Sequence, residues 1–162
     1  MGVLGVSLAG ASSGLSCTIP QARATVAPGL TNVPTAVKIT LKLPLKACKG
    51  TPGVTSGTMK GTIVPASKLT CASIANVGTM KIATTIKWSN GKTSTWSGTA
   101  TAKAATGKVT SVITGAVTNG LFAKQLVSTT VAVSLDPTGG SCTTAMPMKS
   151  LIVKGTKPFV IR

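Results

Sequence analysis

Asp136 is the only carboxylate side chain in a chain of 162 residues that has no Glu, His or Tyr and 17 Lys and Arg, for a formal charge of +16. General acid/base catalysis draws on His, Asp, Glu or Tyr, and hard-cation sites need several carboxylates together. One Asp can build neither. Ser89-Asn90-Gly91-Lys92 spells the Ser-x-x-Lys of serine acyl-enzymes. That motif works from a helix start with further Ser and Lys partners, whereas Asn90-Gly91 between strand-like runs is a β-turn signal, so the spelling is read as coincidental. There is no glycine-rich phosphate loop ending in Lys-Ser/Thr and no Asn-x-Ser/Thr acceptor. These residues predict no catalytic group, no metal site and no cofactor, and hence a non-enzymatic binding or structural protein.

The four cysteines Cys17, Cys48, Cys71 and Cys142 lie far apart, with no Cys-x-x-Cys pair and no His to complete a zinc site. Such spacing points to disulfides and an oxidising compartment. Of the three connectivities, Cys17–Cys48 with Cys71–Cys142 is preferred, because the first pair flanks the first strong strand region and the second brackets the remainder. Residues 1–11 form a short apolar stretch ending Ala9-Gly10-Ala11, which fits the small-residue cleavage rule of a signal peptide although the basic n-region is missing. They are read as a truncated signal peptide, with an ordinary first strand as the alternative. Residues 12–162 are then a single all-β domain, secreted or associated with the cell envelope. No later run approaches ~18 uninterrupted apolar residues, so no transmembrane helix is expected.

The cations are spread singly along the chain and are almost all Lys, which favours diffuse attraction over bidentate phosphate recognition. Lys38, Lys42, Lys81 and Lys87 fall on the polar side of alternating runs and are the anion-binding candidates. The expected partner is an anionic polymer or surface: wall polyanion, acidic glycan or anionic lipid. Aromatic residues make up only 2% of the chain, so stacking capacity is poor and nucleic acid is an unlikely partner. Trp96 is the candidate for an exposed ligand-stacking residue. Two alternatives stand beside adhesion: a barrel carrying a small apolar ligand or lipid, and a subunit of an extracellular assembly. The sequence sets no oligomeric state.

Period-two alternation positions these side chains. Val37, Ile39, Leu41 and Leu43 share one face against Lys38, Thr40 and Lys42. Met80, Ile82, Ile86 and Trp88 oppose Lys81 and Lys87, and Val127, Val131, Val133 and Leu135 align in a third run. Weaker strands are expected over 16–25, 57–64, 93–103, 108–117 and 148–155, with turns at Pro28-Gly29, Thr51-Pro52-Gly53, Asn90-Gly91, Thr106-Gly107, Asn119-Gly120 and 136–140. The sum is an all-β fold: a single antiparallel β-sandwich or β-barrel of about eight strands with little helix. Helix is expected at most for a turn or two within 67–77. In the Asn90-Gly91 hairpin, a two-residue loop would send Trp88 and Trp96 to opposite faces and a three-residue loop with a bulge would put both on one face. Thr93, Thr95, Thr99 and Thr101 form a row of hydroxyls that β-propensity alone explains.

The texture from Cys17 to Val160, rich in Gly, Thr, Ser, Val and Lys, together with its cysteine placement and the strand Ile86-Lys87-Trp88-Ser89-Asn90-Gly91-Lys92, resembles small secreted all-β proteins of actinobacteria. The resemblance implies export and an all-β fold and transfers no functional residue.

Overall fold

The computed structural model describes residues 14–105 and 108–162; the segment read as a signal peptide and the Thr106-Gly107 turn lie outside them. Nine strands form: β1 Leu15–Thr18, β2 Ala22–Leu30, β3 Lys38–Lys49, β4 Gly57–Ile63, β5 Thr79–Trp88, β6 Thr93–Ala105, β7 Lys108–Gly120, β8 Leu126–Leu135 and β9 Met148–Ile161. From β2 to β9 each strand pairs antiparallel with the next in sequence, and β9 returns to β2. The sheet therefore closes as an up-and-down barrel, and the sandwich alternative falls. β1 and β2 run consecutively between β3 and β9, each pairing with both, so β1 extends the stave of β2 past a break at Ile19–Gln21. Eight staves result, one for each strand the alternation predicts.

Closure works because the inward residues are apolar and the outward ones are Lys and Thr. Along β3, Ile39, Leu41, Leu43 and Leu45 are buried while Lys38, Thr40, Lys42 and Lys46 are exposed. This polarity is the inverse of a membrane-spanning barrel, whose outer band is apolar and whose lumen is polar. No helix among the described residues is long and apolar enough to cross a membrane.

Both predicted disulfides are present, Cys17–Cys48 and Cys71–Cys142. The first needs a break in alternation. Ala47 adopts a positive φ of 48°, so Lys46 and Ala47 both face outward and Cys48 turns inward to meet Cys17. The second joins the two long connections at one pole of the barrel, residues 64–78 between β4 and β5 and residues 136–147 between β8 and β9. The first of these holds a 3-10 turn, Ser73–Asn76, where helical spacing had suggested a turn or two.

The aromatic side chains gather at the other pole. Trp88 meets Phe122 edge-on at 5.7 Å between ring centroids, and Trp96 lies 6.2 Å from Phe159. Gly57 faces Trp88 in register, and a Cβ there would come within 2.8 Å of the indole, so only glycine leaves room for the ring. Several expected boundaries move: the strand expected over 16–25 breaks at 19–21, β3 runs past Leu43 to Lys49, and Asn119-Gly120, read as a turn, closes β7. Pro28-Gly29, read as a turn, lies inside β2, where the β2–β9 register shifts. β9 runs on to Ile161 rather than ending near Gly155, absorbing Gly155 and Pro158 at irregular pairings with β8.

Candidate functional site

The register of β3, β4 and β5 assembles a basic groove on the outer wall. Lys42 sits directly opposite Lys60, and Lys60 is opposite Thr85 on β5. Residues so paired have Cβ atoms about 4.5–5.5 Å apart, and like charges there are destabilising. Lys87, two residues beyond Thr85, is a diagonal neighbour of Lys60 at about 7–8 Å. The three lysines, with Thr58, Thr85, Thr93 and Ser89, line a groove of about 640 Å³. Each of the three is exposed. Antiparallel pairing dictates this crowding: on each strand an apolar neighbour (Leu41 and Leu43, Met59, Ile86) is turned into the core, which forces the lysine outward.

No carboxylate among the described residues answers these charges. Asp136 is spent elsewhere. Its Oδ1 accepts from the Thr138 amide at 3.0 Å and the Thr138 hydroxyl at 2.8 Å, and its Oδ2 accepts from the Ser150 hydroxyl at 2.8 Å and Arg23 Nε at 2.7 Å. The Thr138 bonds, then Ser150 and Arg23, outweigh the opposing effect of burial and hold the carboxyl well below the usual carboxylate range. Asp136 thus ties the β8–β9 connection to β9 and β2. Ser89, the serine of the Ser-x-x-Lys spelling, accepts the Thr55 amide at 3.0 Å and donates to the Gly53 carbonyl at 3.3 Å. It staples the β3–β4 connection to the end of β5.

The predicted anion-binding residues divide. Lys42 and Lys87 come together in the groove. Lys38 is four residues from Lys42 along β3, about 13 Å at ~3.3 Å per residue, and Lys81 is six residues from Lys87 along β5, about 20 Å away. Lys81 lines a separate shallow groove with Thr62, Ser97 and Thr99. Lys60 was missed: alternation in 57–63 marks it as outward, but its pairing with Lys42 depends on register. A second basic groove also went unforeseen, where Lys154 and Lys157 flank the β1–β2 break beside Ile19 and Pro20.

Trp96 is not an exposed stacking residue. The hairpin takes the three-residue loop, with the Trp88 amide donating to the Lys92 carbonyl at 2.8 Å and Lys87 opposite Thr93. Trp88 and Trp96 therefore share the inner face, at 2% and 0% exposure. All four aromatic residues of the chain are buried; Trp88 lines the lysine groove but is only 2% exposed, so the outer wall offers charge and hydroxyls rather than a free ring to stack on.

The barrel interior is hollow on the side of the 3-10 turn. A cavity of about 70 Å³ is lined by aliphatic side chains from every stave, small at Ala24, Ala100 and Ala102, with Ser111 the one polar residue on its wall. No protein-family model, curated protein or solved structure matches the chain.

Proposed function

We propose that this protein is an exported, non-enzymatic binding protein that attaches electrostatically to anionic envelope or extracellular polymers, with the β3–β5 groove as its principal contact. One observation carries the reading: Lys42, Lys60 and Lys87 are held side by side with no described carboxylate to neutralise them, although like charges in register cost stability. A polymer with regularly spaced phosphates or sulfates relieves that repulsion and releases its own condensed counterions. The lysines, being point charges on flexible stems, suit a polymer whose charges are not rigidly placed. Two disulfides are consistent with an oxidising, extracellular setting.

The test is binding to poly(glycerol phosphate) and to dextran sulfate across a salt series. Affinity should fall steeply and linearly in log–log form, and the triple variant Lys42→Gln/Lys60→Gln/Lys87→Gln should flatten the slope by about 2. A control that removes the same charge outside both basic grooves, Lys68→Gln/Lys103→Gln/Lys149→Gln, should flatten it less. Absence of binding to either polymer at low ionic strength overturns the function. Equal losses in the two triple variants overturn the groove as the contact.

A further inference from the structure

We infer that the hollow pole of the barrel is a second binding site, for a small uncharged aliphatic molecule or chain end that carries one hydrogen-bonding group. Its floor is fully apolar, built from Leu43, Ala100, Ile113 and Val131, all buried. Its rim is half-buried: Met80, Ala102, Val109 and Val133, with Ile74 of the 3-10 turn leaning over it. The gradient from buried floor to partly exposed rim makes the space an inlet rather than a sealed packing fault.

Ser111 supplies the second observation. It is 6% exposed and lines the cavity, and its hydroxyl makes no hydrogen bond to any described residue. Its oxygen is not one of the fully enclosed partnerless side-chain atoms among the described residues, which are Thr84 Oγ1, Trp96 Nε1 and Gln125 Oε1, so it is reached from the cavity it lines and is open to a guest's hydrogen-bonding group. Water is a poor remedy, because a buried water needs 2–4 polar partners and this wall offers one. An aliphatic molecule with a terminal hydroxyl satisfies both the wall and Ser111. Size sets the class: an engineered apolar cavity of ~150 Å³ takes benzene, so about half that volume accepts roughly three non-hydrogen atoms, the size of ethanol.

The cap is arranged to admit such a guest. Residues 64–78 cross the pole, fixed on one side by Cys71–Cys142 and on the other by the Ala102 amide donating to the Gly78 carbonyl at 2.9 Å. Gly78 has a φ of 72° and nothing within reach of a Cβ, so the chain next to the turn is not wedged by packing. The cavity shares no lining residue with the lysine groove, so failure of either site leaves the other standing.

The experiment is a methyl NMR titration of the intact, disulfide-bonded chain with ethanol and, separately, with xenon. Saturable shifts are expected for Ile74, Ile82, Ile113, Val131 and Val133, with the methyls of the aromatic pole unmoved. Ser111→Ala should weaken ethanol by about threefold to tenfold and leave xenon unchanged. Ala100→Leu, which fills the floor, should abolish both. Shifts that grow linearly without saturating, or spread over the surface, overturn the site in the unmodified chain whether or not Ala100→Leu folds. Equal weakening of xenon and ethanol by Ser111→Ala overturns the role given to the hydroxyl.

Discussion

Thr84 and Trp96 face each other across β5 and β6, both turned inward, and Thr84 Oγ1 and Trp96 Nε1 are buried without hydrogen-bond partners among the described residues. Trp88, by contrast, donates from Nε1 to Ser94 Oγ at 2.7 Å. An orphaned hydroxyl is replaceable at a gain, so Thr84→Val, which keeps the shape, should raise unfolding free energy by about 1 kcal/mol in urea titrations. A loss instead would mean that the hydroxyl has a partner in solution. Asp136 makes the opposite prediction. Its folded carboxyl titrates below its unfolded value, so the stability it contributes is present above the ordinary Asp range and is lost as pH falls through and below about 3.9. With no Glu or His in the chain, the melting temperature should stay level from neutral pH to about 5 and fall only in stronger acid. Asp136→Asn should melt lower at neutral pH and show a flatter acid limb. At this scale the burial of Trp88 was legible from Ile82 and Ile86 on its strand, whereas that of Trp96 hung on one residue of loop length. Asn-Gly is compatible with either loop.

Strands with clean alternation were legible where it holds: β5 appears where Met80 to Trp88 predict it, and β3 starts where Val37 to Leu43 predict it but runs on to Lys49 through Pro44 and the outward pair Lys46 and Ala47. The missed parts share a cause. Pro28, Gly29, Gly155 and Pro158 read as breakers in isolation, but a barrel wall tolerates them where its register shifts. The disulfides divide the labour between elements. Cys17–Cys48 fastens β1 to β3, while Cys71–Cys142 fastens one connection to another across the pole. Breaking the second with Cys71→Ala/Cys142→Ala should cost about 2–4 kcal/mol and raise amide exchange chiefly over 64–78. Uniformly faster exchange throughout would instead make the cap part of one cooperative unit with the barrel.

Closure belongs to the whole molecule and was not legible, since a sandwich and a barrel present the same alternation and differ only in whether the first and last staves meet. Nor was the groove, because two lysines separated by the β3–β4 connection become neighbours only through Lys42↔Lys60 pairing. That pairing has a measurable cost. Lys60→Gln should stabilise the protein by about 0.5 kcal/mol at low ionic strength, and the gain should fade near 1 M salt, where the screening length is about 3 Å. An effect that persists at high salt would locate the cost in packing rather than charge. The unequal furnishing of the two poles has one more consequence. Every fluorophore worth exciting sits at the end remote from Cys71–Cys142, so intrinsic emission watches that end alone, and a guest entering beneath the 3-10 turn would pass unseen by the spectrometer most laboratories would reach for first.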